Sequence, residues 1–152
     1  LAPLTDADMD DALEYEILAK GIEGDLEKVQ LTKARRGQGI FRTNVRFVEH
    51  SCRLTGVTNI KHLRASHIKP WKDSTDQEKI DGNNGLLLSP HVDHLFDRGF
   101  ISFRDAGQIL VSRELSPVVL HQWSIHADQN VGEFREAQRE YLEFHRDSVF
   151  QS

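Results

Sequence analysis

Apolar and polar positions near the start of the chain alternate with the period of a helix. Residues 4–20 place apolar side chains at helical spacing among acidic ones, and Gly21 follows them. The apolar positions are Met9, Leu13, Ile17 and Leu18. This pattern predicts an acidic amphipathic helix, most simply one that packs on the rest of the domain. The alternative is that it shields a basic surface or contacts a partner.

Two further helices are predicted before residue 50. One covers residues 25–36 and ends at Gly37. The other continues through about Glu49 and has an apolar stripe formed by Phe41, Val45 and Val48, which is expected to be core.

The centre of the chain predicts a strand, a polar loop and a short helix. Residues 62–67 alternate as in a strand until Pro70, and residues 72–83 are polar and turn-like, which predicts an exposed loop. Ser89 is a good N-cap, Pro90 suits the first helical position, and Gly99 suits the end of the helix. The core positions of this helix are Val92, Leu95 and Phe96.

The last third predicts a hairpin followed by helices. Residues 100–103 and 108–112 flank a turn that contains Gly107, which is typical of a β-hairpin. A short helix is expected from Ser116-Pro117 to about Trp123, and an amphipathic helix over residues 131–148.

Asp93 and Asp97 lie four residues apart on the predicted central helix and share a face. Two carboxylates in that arrangement repel each other unless a cation lies between them. His67 stands at the end of the preceding strand. These residues suggest metal-assisted chemistry, in which a carboxylate-held cation meets a phosphate and an imidazole activates water.

The charge distribution favours a nucleic-acid partner although the net charge is −5. Residues 28–72 hold eleven Lys and Arg side chains against one acid, Glu49. Such a basic band is the electrostatic footprint of a phosphate-backbone binder, and a solvated charged surface is the alternative.

Composition indicates one globular domain with 38% hydrophobic residues among 152. A single cysteine, Cys52, excludes a disulfide framework and favours a reducing, cytoplasmic setting. The chain has no signal-peptide pattern and no apolar run that would span a membrane, so no membrane partner is expected. It begins at Leu1 and not at methionine, which leaves open that it is a processed or excised piece of something longer.

The order His67…Asn84…Asp93 resembles the HNH (ββα-metal) nucleases, with Asp in place of the final His. More narrowly, the chain is similar to the HNH domain of modification-dependent (type IV-like) restriction endonucleases from about residue 35 to its end. The segments that carry the resemblance are Arg36-Gly37-Gln38-Gly39-Ile40-Phe41-Arg42, Cys52-Arg53-Leu54-Thr55-Gly56, Ala65-Ser66-His67-Ile68-Lys69-Pro70-Trp71, Asn84-Gly85-Leu86-Leu87-Leu88, Asp93-His94-Leu95-Phe96-Asp97-Arg98-Gly99, and Leu142-Glu143-Phe144-His145-Arg146.

The resemblance implies an α+β fold with a ββα-metal core, flanking helices and a β-hairpin. It divides the chain into a helical segment at residues 1–34, acidic and then basic, and an HNH domain at residues 35–152. His145 matches a position near the end of the family domain, where its spacing suggests packing or hydrogen bonding.

The resemblance also implies roles for individual residues. His67 takes the place of the general base, Asn84 of the residue that braces the loop, and Asp93 of a ligand to Mg²⁺ or Mn²⁺. Asp97 is a further ligand or a structural carboxylate. Additional candidate ligands are Ser66, His91 and His94; the two histidines are expected to point to different sides of the helix, so that at most one joins. Expected nucleic-acid contacts are Arg35, Arg36, Arg42, Arg46, Arg64, Lys69 and Arg98.

Some HNH proteins hold a structural zinc ion with two Cys-x-x-Cys pairs. The matching positions here are Cys52, Thr55, Ser89 and Val92, so no structural zinc is expected.

The resulting hypothesis is a metal-dependent endonuclease that hydrolyses DNA, most simply double-stranded DNA, in restriction or defence. Phosphate contacts carry no sequence information, so specificity is expected from a separate reader domain or partner subunit. Cutting of both strands would suggest a homodimer. The alternative is a nuclease-like module that binds DNA or protein without cleavage, which the neutral Ser66 and the acidic net charge favour.

Overall fold

A computed structural model of the chain describes residues 25–152, with side chains from residue 28 onward. The predicted acidic helix at residues 4–20 lies outside them. The described elements are helices and two small antiparallel sheets, which confirms the α+β prediction. No helix within the described residues combines the length and apolar character that crossing a bilayer requires.

The first element is one helix, α1, over Asp25–Val48. The prediction of two helices that separate at Gly37 is therefore wrong. Gly37 does not adopt the left-handed conformation that ends helices, and helical backbone continues through it. A mid-helix glycine costs roughly 1 kcal/mol relative to alanine, which tertiary packing can offset. Here the packing comes from Phe41 and Val45, which are almost completely buried.

The predicted ββα unit forms the centre of the domain. Strand β1, Arg64–His67, pairs antiparallel with β2, Gly85–Leu88, so that His67 lies opposite Gly85. Helix α3, Pro90–Asp97, follows and buries Val92, Leu95 and Phe96, as predicted. Ser89 occupies the N-cap position, but its hydroxyl does not cap the helix and hydrogen-bonds to the Thr55 hydroxyl at 2.7 Å.

The segment between β1 and β2 is not the loop predicted from its polarity. It contains a 3-10 turn at Trp71–Asp73, helix α2 at Asp76–Ile80, and another 3-10 turn at Gly82–Asn84. Helix α2 begins with a capping box, in which Thr75 accepts from the Glu78 backbone and Glu78 accepts from the Thr75 backbone. The sequence Thr-x-x-Glu carries this signal, and it outweighs the polar composition.

The C-terminal third confirms the hairpin. Strands β3, Ile101–Phe103, and β4, Ile109–Val111, pair antiparallel. Helix α4 spans Pro117–Gln122, close to its prediction. Helix α5 covers only Glu136–Phe144 and continues as a π-helical turn, His145–Val149. The predicted start at residue 131 is wrong because the preceding backbone pairs with the hairpin turn, through Val131 N to Gly107 O and Phe134 N to Asp105 O.

His145 joins this last helix to the ββα unit. Its ring stacks on Phe96 with centroids 3.8 Å apart, and Nε2 donates to the Phe96 carbonyl at 2.8 Å. Nδ1 then accepts from the Ser102 hydroxyl at 2.7 Å. Burial lowers the pKa of His145 to about 4, so the ring is neutral at pH 7. The predicted packing and hydrogen-bonding role of His145 is confirmed.

Because α1 continues through Gly37, we expect an alanine at this position to stabilise the protein. A Cβ at this position would meet no atom within 4 Å outside the helix's own neighbouring backbone. Gly37→Ala should therefore raise the free energy of unfolding by about 0.5–1 kcal/mol through helix propensity. Chemical denaturation measures this change.

Gly85→Ala is the matched control. A Cβ on Gly85 would overlap the side chains of Val45 and Phe41, so this variant should lose about 1–3 kcal/mol. If Gly37→Ala lowered the free energy of unfolding by as much as Gly85→Ala does, the result would mean that α1 breaks at Gly37.

Candidate active site

His67 ends β1 in a pocket formed by α1 and the helical segment that follows the strand. Its Nε2 lies 2.8 Å from the Lys79 carbonyl oxygen. Its ring stacks on Phe41, with centroids 3.6 Å apart and planes 8° from parallel. Trp71 meets it edge-on at 6.0 Å. These three contacts hold the imidazole in one orientation.

The Lys79 contact determines which ring nitrogen carries the proton. A carbonyl oxygen only accepts hydrogen bonds, so Nε2 must be the donor and Nδ1 carries the lone pair of the neutral ring. Burial is the main cause that lowers the pKa of His67, and the charge of Lys79 acts in the same direction against the backbone hydrogen bond. A neutral imidazole at neutral pH is the protonation state that a general base requires.

Asn84 closes the segment that supplies the Lys79 carbonyl. Its fully buried side chain accepts from the Lys69 backbone N–H at 2.8 Å and donates to the Glu78 carbonyl at 3.0 Å. Its own carbonyl accepts from Ile68 N at 2.9 Å. Because Glu78 directly precedes Lys79, the Asn84 amide fixes the backbone that orients His67.

Asp93 faces β1 from the first turn of α3. The Ser66 hydroxyl donates to its Oδ1, and Arg64 Nη1 lies 3.4 Å from its Oδ2. Burial is the largest cause that raises the pKa of Asp93; the Asp97 charge adds to it, whereas Ser66 and Arg64 oppose it. Asp97 is exposed one turn later on the same helix.

Strand alternation divides the predicted residues into two groups. Successive side chains of a strand project to opposite faces. Ser66 accordingly meets Asp93, whereas His67 meets Phe41. The structure therefore brings Arg64, Ser66 and Asp93 together on one side of β1 and the imidazole pocket on the other.

The donor set around Asp93 is chemically suited to a hard cation. Within residues 25–152, no three His, Cys, Asp or Glu side chains cluster as a metal site. Asp93 and Asp97 carboxylates and the Ser66 hydroxyl are oxygen donors, and Mg²⁺ commonly binds one or two carboxylates while it keeps several waters. These residues fit Mg²⁺ or Mn²⁺ with a shell completed by water and phosphate.

His91 and His94 do not separate as predicted. Both rings lie against Trp123, with centroid distances of 5.5 and 6.4 Å. The expectation that they point to different sides is wrong, since side chains three positions apart share a helix face.

The four positions compared above with the zinc ligands of HNH proteins are occupied by packing and hydrogen-bonding residues. Cys52 and Val92 are completely buried in the core. Thr55 and Ser89 hydrogen-bond to each other through their hydroxyls. This bond joins the segment after α1 to the start of α3.

The predicted phosphate contacts have different surroundings. Lys69 Nζ pairs with Glu78 at 3.0 Å, and Arg64 pairs with Asp93. Arg98 is exposed. Arg36 lines an open groove beside α1. Arg35, Arg42 and Arg46 all have interaction partners in the structure. Their contact with nucleic acid stays a prediction.

The sequence did not reveal three residues around the imidazole. Phe41 was predicted as core without its stacking on His67, and the Lys79 carbonyl carries no side-chain signal at all. Trp71 belonged to a recognised motif, but its edge contact with His67 depends on the turn at Trp71–Asp73.

The part of the chain that contains His67, Asn84 and Asp93 matches a known protein family. Residues 52–104 match a family model described as HNH endonuclease. This region includes β1, β2, α3 and β3. A comparison with curated proteins finds no match.

The Asn84 network makes a prediction about stability. Asn84→Ala would leave the Lys69 N–H without its acceptor, whereas the Glu78 carbonyl would keep its second donor, the Asp81 N–H. One unsatisfied buried group costs roughly 1–3 kcal/mol, so the variant should lose about 1–3 kcal/mol in chemical denaturation.

Asn83→Ala is the neighbouring control, and it should stay within about 0.5 kcal/mol of the wild type. Equal effects of the two substitutions would contradict the bracing role of Asn84.

Proposed function

We propose that the chain is a metal-dependent endonuclease that hydrolyses DNA phosphodiester bonds, a proposal that the match of residues 52–104 to the HNH endonuclease family model supports. In this proposal His67 is the general base and Asn84 is the positioning residue for its pocket. Asp93 and Asp97, with Ser66, bind the cation. The domain division at residues 1–34 and 35–152 is part of the proposal, although α1 runs continuously across that boundary.

The fixed orientation of the His67 imidazole is the observation that carries the proposal. The Lys79 carbonyl holds the proton on Nε2, and Phe41 holds the plane of the ring. His67 is the last residue of β1, so a phosphate that lies across the end of the strand would reach Nδ1 on one face and the cation on the other. Nδ1 would then take a proton from a water molecule that attacks phosphorus. The structural histidine His145 uses its neutral Nδ1 to accept from Ser102, whereas within the described residues Nδ1 of His67 has no such donor and keeps its lone pair for a proton, as a base requires.

The cation would be held at the face of β1 that carries Asp93. When bound, a divalent ion there would neutralise the scissile phosphate and stabilise the leaving 3′-oxygen. The Ser66 hydroxyl holds Asp93 in place. Both carboxylates must be ionised to bind the ion, and the nearby Arg64 opposes the effect of burial on Asp93.

Arg64 is suited to exchange partners. Its 3.4 Å separation from Asp93 is longer than the usual 2.7–2.9 Å or so of a charge-assisted hydrogen bond. The guanidinium can therefore leave the carboxylate for a DNA phosphate when the cation takes its place. The other basic residues from 35 to 72, together with Arg98, would contact DNA phosphates. These contacts would hold the DNA backbone without recognising its base sequence.

The wider setting of the proposal is restriction or defence, in the cytoplasm. It rests on the resemblance of the ordered motifs to the HNH domains of modification-dependent restriction endonucleases. Recognition of the target would belong to a separate reader domain or partner subunit. Cutting of both strands would suggest a homodimer, because one active site cuts one strand at a time.

Supercoiled-plasmid cleavage tests the proposal. The wild type should nick plasmid with Mg²⁺ or Mn²⁺, and EDTA should abolish the activity. His67→Ala should lower the rate roughly 100-fold or more, since loss of a general base typically costs that much. Asp93→Asn should also lose activity and should need more metal for any residual cleavage.

His62→Ala is the matched histidine control, because His62 is exposed and five residues away. It should cleave at the wild-type rate. Equal rates for His67→Ala and the wild type would mean that His67 is not the base. Salt-sensitive DNA binding without cleavage under any divalent ion would favour the non-cleaving module, which the small set of ligands at Asp93 also favours.

A further inference from the structure

An open groove of about 1130 Å³ lies beside the His67 pocket, between the first half of α1 and α2. Its apolar lining includes Val29, Ile40, Trp71 and Ile80. Its basic lining includes Lys28, Lys33, Arg36 and Lys79, against the single acid Asp76 among the described lining residues. The groove is therefore an apolar surface with a basic rim.

The apolar lining is strongly exposed for side chains of its type. Val29 is 63% exposed, Ile40 49% and Trp71 37%. Adjacent exposed apolar residues with a polar rim mark a surface that binds another segment or molecule. A DNA backbone would use the cations but would leave Val29 and Ile40 uncovered.

We propose that the chain's own acidic segment, residues 5–20, packs into this groove. The segment has the complementary chemistry, with apolar positions at helical spacing and acidic residues between them. The apolar positions are Met9, Leu13, Ile17 and Leu18, and the acidic ones are Asp6, Asp8, Asp10, Asp11, Glu14 and Glu16. The apolar side chains cover the groove floor, and the carboxylates pair with its basic rim.

Chain connectivity favours this occupant over an external one. The segment joins the start of α1, whose first turns line the groove, so packing is intramolecular and has a high effective concentration. Gly21 and Gly24 supply permissive backbone for a reversal of direction. A 16-residue helix is about 24 Å long, enough to cover the 18 Å or so from Lys28 to Ile40.

The groove adjoins the His67 pocket. Trp71 and Lys79 line the groove and also contact His67, the first by its ring and the second by its carbonyl. The carboxylates of the segment would pair with basic side chains of the groove that otherwise attract DNA phosphates, and salt would weaken these ion pairs. This consequence rests on the proposed nuclease function, whereas the docking itself does not.

Trp71 fluorescence tests the docking independently of any cleavage. In the full chain with Trp123→Phe, Trp71 is the remaining tryptophan. Ile17→Asp, or Leu13→Asp, should increase acrylamide quenching of Trp71 and shift its emission to the red. Val118→Asp is the matched control, since Val118 is also an exposed apolar residue but does not line the groove. It should change neither readout.

Exchanging charges between the groove and the acidic segment provides a second test of the docking, in case one of the single variants folds poorly. Lys33→Glu with Arg36→Glu should expose Trp71, and adding Asp10→Lys with Glu14→Lys should restore its protection. Protection should be independent of protein concentration.

Unchanged quenching in Ile17→Asp and Leu13→Asp at low salt would overturn the proposal. So would protection that grows with concentration, which would indicate a second copy, or protection that appears only with an added DNA duplex. Absence of plasmid cleavage would contradict the nuclease proposal and leave these fluorescence results unaffected.

Discussion

The buried amide of Asn84 joins the two ends of the segment that connects the central strands. It accepts from Lys69, just after β1, and donates to Glu78 in α2. The polar connection is therefore held as a compact helical segment, and the adjacent Lys79 carbonyl stands at a fixed place. Because that carbonyl accepts a hydrogen bond from Nε2 of His67, the proton of the neutral ring lies on Nε2 and the lone pair lies on Nδ1. The Asn84 side chain thus acts on the imidazole through backbone geometry, since its hydrogen bonds go to Lys69, Ser74 and Glu78 and not to His67.

The pleat of β1 gives one short strand two chemically different environments. Ser66 and His67 are neighbours in sequence, yet the first contacts a carboxylate and the second lies against a phenyl ring. The apolar environment favours a neutral imidazole, and the polar one favours oxygen ligands for a cation. Gly85 opposite His67 is required because Phe41 and Val45 occupy the space of a side chain.

The parts of the fold that the sequence predicted are those specified by local patterns. Alternation before Pro70 predicted β1, and the Ser89-Pro90 start and the Gly99 stop predicted α3. The second strand of the ββα unit was expected only from the resemblance to the ββα-metal family. The continuity of α1 through Gly37 depends on tertiary packing of Phe41 and Val45, which no local pattern records. The stacking of Phe41 on His67 and the Lys79 contact join residues far apart in sequence, so they emerged only in three dimensions.

The tautomer of His67 tests this account most directly. Long-range ¹H–¹⁵N NMR correlations of the imidazole rings, with His67 assigned by His67→Gln, report which ring nitrogen carries the proton. We expect a neutral ring at pH 7 with its proton on Nε2 and its lone pair on Nδ1. A proton on Nδ1, or a fully protonated ring at pH 7, would contradict the claim that the Lys79 carbonyl prepares His67 as a base.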